Sequence, residues 1–121
     1  MKTHEIHIPK LSDNIIFWSG TNAQENFNII AQADPSDIWF HVSDYPSAHI
    51  IARLSLYPKK INRSDKKLML SIIKQGAVLC KQISKYASIS KLSITYAQIS
   101  NIALTQTLGT VNVSLGKNII I

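Results

Sequence analysis

Residues 37–53, Asp-Ile-Trp-Phe-His-Val-Ser-Asp-Tyr-Pro-Ser-Ala-His-Ile-Ile-Ala-Arg, constrain the fold more than any other stretch of the chain. The segment reads as a strand, a tight turn and a second strand. Strand side chains point alternately to opposite faces with a period of two. Ile38, Phe40 and Val42 therefore share one face of the first strand, while Trp39, His41 and Ser43 share the other. In the second strand Ile50, Ala52 and Leu54 form an apolar row opposite His49, Ile51 and Arg53. If both apolar rows line one core, Trp39, His41, His49 and Arg53 emerge together on the far face as a small polar and aromatic platform.

The rest of the chain is read around that hairpin. At 121 residues, positions 1–121 form one domain, with room for a core but not for a second domain. A hydrophobic content of 45% with 17% charged residues suits a globular fold rather than a disordered segment. No apolar run approaches the roughly 18 residues of a membrane span, and none is flanked like a signal peptide. The single cysteine, Cys80, excludes an internal disulfide, and clustered thiolates and histidines at ligand spacing are absent. The expectation is a soluble, cytoplasmic protein with no membrane partner, no metal and no cofactor.

Charge is distributed unevenly along the chain. Residues 1–58 carry Lys2, Lys10 and Arg53 against six acidic residues, whereas residues 59–121 carry ten basic residues against Asp65 alone. The net charge of +6 thus resides in a basic second half, a pattern that suits an anionic partner, nucleic acid first among them. A merely solvated surface is the plainer alternative.

From the start, Thr3 to Lys10 alternates with Ile6 and Ile8 on one face, a first strand ended by Pro9. His4 and His7 then fall on opposite faces and are read as exposed edge residues. Ile15-Ile16-Phe17-Trp18 reads as a buried strand, and Gly20 with Thr21 or Asn22 opens a helix from Ala23 to about Ala33. In that helix Phe27, Ile30 and Ala31 recur at apolar spacing, and Glu25 sits in the first turn, where the helix dipole favours it. A Gly-x-Asn turn at a helix N-terminus offers free amides to an anion, but without a second glycine or a Gly-Lys-Ser/Thr it is not a P-loop. An ordinary capped turn is the favoured reading of this segment by itself.

Beyond the hairpin, Lys59, Lys60 and Arg63 mark an exposed basic loop, and Ser64 or Asp65 caps a long helix from about Lys66 to Tyr86. Leu68, Met69, Ile72, Leu79, Cys80, Ile83, Tyr86 and Ala87 share a broad apolar arc; Lys67, Lys74, Lys81 and Lys85 cluster within about 40° on the opposite side. No carboxylate follows Asp65 within the helix to neutralise that stripe. Gly76 costs a mid-helix position about 1 kcal/mol relative to alanine, which suggests close packing on the sheet. Leu92–Ala97 and Val111–Leu115 alternate as strands, a polar loop runs between them, and Gly116-Lys117-Asn118 turns into a final Ile119–Ile121. The pattern predicts an α+β fold, a largely antiparallel sheet with two helices, one short and one long.

Three motifs occur in order: Gly20-x-Asn22-x-x-Glu25-Asn26, Asp37-Ile38-Trp39-Phe40-His41-Val42, and Pro46-Ser47-Ala48-His49-Ile50-Ile51-x-Arg53. Together they resemble the NFACT-R domain family, and the likeness extends through the Tyr96 strand and Gly109-Thr110-Val111. The resemblance implies RNA recognition, with tRNA or rRNA and the ribosome as expected partners, since the family occurs in ribosome-quality-control factors. It marks Asn22, Glu25, Asn26, Trp39, His41, His49 and Arg53 as the candidate RNA-binding surface, with Lys59, Lys60, Lys67, Lys74, Lys81 and Lys85 added from charge. Trp39 or an imidazole would stack on an unpaired base while Arg53 pairs with a phosphate.

The chain also departs from the family pattern. Thr21 and Gln24 stand where basic residues are common, and Ser100, Ala103, Leu104 and Thr105 stand where a lysine-rich loop is expected. Either the lysine helix substitutes for that loop charge or binding is weaker than in the family. Rescue and tail synthesis, which need other domains, are not carried over. DNA stays open as a competing ligand. Two other classes stand beside RNA binding. One is a protein-interaction module whose hairpin is structural, with its histidines bonded to backbone and Trp39 packed. The other, ranked lower, is a phosphodiesterase with His41 and His49 as acid and base near Glu25 and Arg53.

Overall fold

The alternation of residues 38–54 builds a sheet with two unequal faces. In the computed structural model, which describes residues 1–121, the chain runs through β1 (Lys2–Ile8), β2 (Asp13–Ser19), α1 (Ala23–Gln32), β3 (Ile38–Val42), β4 (Ile50–Ala52), α2 (Lys66–Ile83), β5 (Ser93–Gln98), β6 (Ile102–Leu104), β7 (Val111–Val113) and β8 (Lys117–Ile120). Six strands form one antiparallel sheet in the order β1-β2-β4-β3-β5-β8, and β6 pairs with β7 in a separate ribbon. The fold is α+β, with one short and one long helix, as the sequence predicts.

Strands β3 and β4 register as Ile38↔Ala52, Trp39↔Ile51 and Phe40↔Ile50. The predicted apolar row points one way: Ile38, Phe40, Val42, Ile50, Ala52 and Leu54 all join the main core. Leu54 does so from a 3-10 turn that follows β4 rather than from the strand. The connection between the strands is also not tight, because residues 43–49 form an open loop with Asp44 in the left-handed region at φ 64°.

Helix α2 covers this face through Leu68, Ile72, Ala77, Leu79 and Cys80. Asp65 caps it by accepting the Leu68 amide at 3.1 Å. Gly76 meets the sheet where the sequence suggests: a Cβ there would lie 2.3 Å from Cζ of Phe40, whose side chain is fully buried. Cys80 is buried in the same layer, and burial raises its thiol to about 12, so it behaves as a packed apolar group. The helix ends at Ile83, short of the predicted Tyr86. Ser84 explains the stop, since its hydroxyl donates to the Lys81 carbonyl at 2.8 Å and accepts the Tyr86 amide at 3.1 Å. Ile83 consequently reaches solvent, and Ala87 lies outside the packed arc.

Helix α1 covers the opposite face. Its inward residues are Asn26, Ile29 and Ile30, with Phe27 half-buried and Ala31 exposed, so the packed face is rotated from the one expected. Ile29 and Ile30 meet Trp39, Ile51 and Ile99 in a second, smaller core, against which Trp18, Ile102 and Val111 also pack. The far face of the hairpin is therefore not an open platform. A helix and the β6–β7 ribbon lie over it.

Gly76→Ala tests the α2 packing. Helix propensity alone favours alanine by about 1 kcal/mol, whereas forcing a methyl into a packed core typically costs about 1–3 kcal/mol. With the added carbon far inside contact distance of a buried ring, the clash dominates. Chemical denaturation should show a loss of about 1–2 kcal/mol, partly recovered when Gly76→Ala is combined with Phe40→Leu.

Candidate nucleic-acid interface

The turn before α1 is locked by its own side chains. Asn22 caps the helix by accepting the Glu25 amide at 2.9 Å. Glu25 reaches back to accept the Thr21 amide at 3.0 Å and the Thr21 hydroxyl at 2.6 Å, a reciprocal cap. Its carboxyl also pairs with the Met1 ammonium at 2.6 Å. The ammonium bond and the Thr21 bonds hold that carboxyl down at about 2. Asn26 turns inward instead, and its Oδ1 accepts the His49 amide at 3.2 Å. Gly20 is obligatory beside it, because a Cβ would sit 2.1 Å from Asn26 Oδ1. This turn is chiefly a clamp that ties α1 to the start of β4.

Trp39 and His49 form a buried pair. Trp39 Nε1–H donates to His49 Nδ1 at 3.1 Å, with the two rings edge-on at 5.6 Å. Both residues are almost wholly excluded from solvent, at 3% and 2% exposure. Accepting the indole proton requires a neutral ring protonated at Nε2, and that nitrogen is the one left for the Gly109 backbone. Burial, reinforced by the neighbouring His41, pushes His49 down to about 3, against the opposing pull of the Gly109 bond. His41 lies parallel to Trp39 at 5.7 Å and edge-on to His49 at 4.8 Å. Its Nδ1 donates to the Val42 carbonyl at 2.6 Å, which leaves Nε2 free, and burial lowers its pKa as well. Of the two imidazoles only His41 offers a free nitrogen, so the acid–base pair envisaged from sequence is not assembled. Glu25 is held in its cap.

Arg53 occupies the other end of the hairpin. Its Nε donates to Asp37 Oδ2 at 2.8 Å, and its guanidinium lies 3.8 Å above the Trp18 ring. Asp37 is fully buried and also accepts the amides of Asp34 at 3.0 Å and Ser55 at 2.9 Å. The register places Arg53 beyond Ala52, opposite Asp37, so it lies at the far end of the strands from His41. Its positive charge is spent on a buried carboxylate rather than offered to a phosphate.

What remains open is a groove of about 1130 Å³ at the loop end of the sheet. The turn at Gly20–Ala23 forms one wall, the 43–49 loop another and the strand ends around Gly109 a third, with His41 and His49 among the residues lining it. Gly109, at φ 84°, packs so near Ala23 that a Cβ would come within 2.8 Å of the Ala23 methyl. His4, expected to be an exposed edge residue, is half-buried in this groove and bonds Ser19 Oγ at 2.9 Å, whereas His7 is exposed as expected. Lys2 and Lys85 supply cations to the lining, and Asp44 an anion.

The predicted lysines differ in their freedom. Lys67 and Lys74 are exposed on the outer side of α2. Lys81 donates to the Ile121 carbonyl at 3.0 Å and is partly buried. Lys85 lies past the end of the helix, its Nζ 5.5 Å from the Tyr86 ring centre. Lys59 is exposed in the basic loop, and Lys60 is paired with Asp13. The sequence marks neither Tyr45 nor Lys2 as a site residue, and it places Tyr86 only in the apolar arc of the long helix. Tyr45 follows Asp44 and precedes Pro46 between two strands, and that loop position is the signal that could have marked it.

The fold and groove define an α+β binding module with a recess at one end of its sheet and a lysine-bearing helix behind it. The chain belongs to the NFACT protein RNA binding domain family, whose profile matches residues 5–116, and that membership supports a general RNA-binding role. It is 32% identical over 93 residues to coiled-coil domain-containing protein 25 of Danio rerio, an alignment covering 73% of this chain and 41% of that protein. The C-terminal part of the fibronectin/fibrinogen-binding protein of Streptococcus suis has the same fold, with a TM-score of 0.76, 17% identity and coverage of 100% of this chain and 45% of that one. The chain thus spans less than half the length of either relative.

Two stability measurements follow from the buried groups. Asp37→Asn leaves the Arg53 charge without its counter-ion and should cost about 3 kcal/mol in urea denaturation, the scale of breaking one side of a buried ion pair. His49 stays neutral in the fold down to about pH 3, whereas the unfolded chain takes up that proton near the ordinary value of 6.5. Stability is therefore complete above about pH 6.5 and falls as pH drops toward 3, by up to about 1.4 kcal/mol per pH unit. His49→Gln should flatten that dependence while lowering stability at neutral pH.

Proposed function

We propose that this chain binds structured RNA such as tRNA or rRNA, in the setting of translation or ribosome quality control. The groove receives a local feature of the RNA, and the free lysines of α2 and Lys85 follow the phosphate backbone beyond it. The observation that carries this reading is the continuity of the two parts. Ile83 and Lys85, at the end of α2, themselves line the groove. From there back to Lys67 the helix extends about 24 Å at 1.5 Å per residue, passing Lys74 on the way. An RNA lodged in the groove therefore meets the end of that helix at Ile83 and Lys85.

Within this reading Asn22, Asn26, Trp39 and His49 shape the groove from behind, and His41 presents the free nitrogen. Arg53 and Lys60 hold the opposite end of the sheet together. A second reading has one specific observation in its favour. Trp39 donates to His49 and Arg53 Nε to Asp37, so these distinctive hairpin residues bond inside the protein, as a protein-interaction module with a structural hairpin requires.

Salt-dependent binding to a tRNA discriminates the two. Each phosphate contact contributes roughly 0.7 to 0.9 to the fall of log K with log salt. Lys67→Ala, Lys74→Ala and Lys85→Ala should each weaken binding and lower that slope by somewhat under one unit, whereas Lys60→Ala should leave it unchanged. Absence of any tRNA affinity at low salt would sink the RNA-binding proposal in favour of the interaction module.

A further inference from the structure

The groove has an aromatic mouth. Tyr45 is 56% exposed, its ring centre 5.3 Å from that of Tyr86 at a tilt of 44°. Lys85 Nζ approaches the Tyr86 ring from the groove rim. A single exposed tyrosine needs no explanation. Here, however, Tyr86 backs one side of the ring, a cation stands beside the pair, and hydrogen-bonding groups lie behind it. The loop also presents the ring at little entropic cost. Asp44 is fixed in a left-handed conformation, Pro46 follows directly, and the Ser47 hydroxyl accepts the Val42 amide at 3.1 Å.

Trp39, the residue that sequence favours for stacking, is sealed beneath α1 and the neighbouring rings, so the stacking surface must lie elsewhere. Deeper in the groove, the free Nε2 of His41 lies near a hydroxyl relay. Thr95 Oγ1 donates to Asn118 Oδ1 at 2.9 Å and so accepts from Ser43 Oγ at 2.8 Å. Ser43 in turn accepts from Ser93 Oγ at 2.9 Å. Each hydroxyl proton in the relay is thereby committed, and the lone pairs that remain suit donors such as a base amino group or a ribose 2′-hydroxyl.

We propose that the groove takes an unpaired nucleotide of RNA, its base stacked on the free face of Tyr45 and its phosphate beside Lys85. This rests on the RNA-binding reading and adds to it the state of the nucleic acid: a loop, bulge or single-stranded end rather than a continuous duplex. A paired base cannot enter, because its edge is occupied and its faces are covered by neighbouring pairs. The aromatic face tolerates any base, so the preference is for unpaired structure more than for sequence.

The test compares a short oligoadenylate strand carrying one 2-aminopurine with a fully paired RNA duplex, both titrated with the full chain. Stacking on Tyr45 quenches the 2-aminopurine when wild-type protein binds. Tyr45→Ala should abolish the quench and weaken single-strand binding about 5- to 150-fold, the worth of one stacked base, with duplex binding little changed. Tyr45→Phe should restore both signals, and circular dichroism should show each variant folded. If Tyr45→Ala binds and quenches as the wild type does, or if the wild type binds single strands with no quench, the inference is overturned while RNA binding stands. If the wild type binds neither RNA at low salt, the RNA-binding reading falls with it.

Discussion

The rest of the structure depends on one buried carboxylate. Asp37 sits at the start of the central strand β3, fully excluded from water, and accepts from Asp34, Ser55 and Arg53. Its backbone carbonyl accepts the Ile99 amide at 2.8 Å, so the same residue also fixes the end of β5. A charge in that position is tolerable only when its lone pairs are met by donors and its charge by a cation. Meeting them fixes, at once, the turn out of α1, the entry into β3 and the exit from β4. The guanidinium that neutralises it also lies over the Trp18 ring.

The second polar knot does the same at the other end of the strands. Trp39 donates to His49, the His49 backbone amide donates to Asn26 Oδ1, and Gly20 donates to the His49 carbonyl at 3.2 Å. Every buried side-chain nitrogen and oxygen finds a partner. The three motifs that look like a binding signature in the sequence thus meet in space because they are one hydrogen-bonded frame. Their presence together in this chain reflects mutual dependence: an indole donor needs a neutral imidazole, and the imidazole needs the amide clamp that orients it. The margin of that frame is where His41 and the 43–49 loop line the groove, and the proposed function is placed there.

Much of this was legible in the sequence. The period-two alternation assigned Ile38, Phe40, Val42, Ile50, Ala52 and Leu54 to one core, and Gly76 marked the point where α2 and the sheet touch. The alternation alone could not show what lies on the second face, because a tryptophan and two histidines are compatible with either solvent or a polar-lined interior. The missing signal was in α1, where Asn26 is an inward residue that an apolar count passes over. Arg53 was misjudged for a related reason: the acid that consumes it lies sixteen positions away and meets it only through the β3–β4 register. The helix end at Ile83 was hidden because Ser84 stops the ladder by a side-chain bond, whereas the apolar spacing runs on.

Placement of charge completes the division of labour. A cation inside the frame is locked by geometry and contributes order, as Arg53 does with Asp37. A cation on a long exposed side chain contributes attraction at a distance but little orientation, as Lys67 and Lys74 do on α2. Lys85 belongs to neither group. It stands where the helix has ended, beside Tyr86 and at the lip of the groove, so the attractive face and the shaped recess meet at this residue. A basic helix alone would hold any polyanion, and a recess alone would hold whatever fits it weakly. Under the proposed function, the helix and the recess joined at Lys85 would act together, the first by attraction and the second by shape.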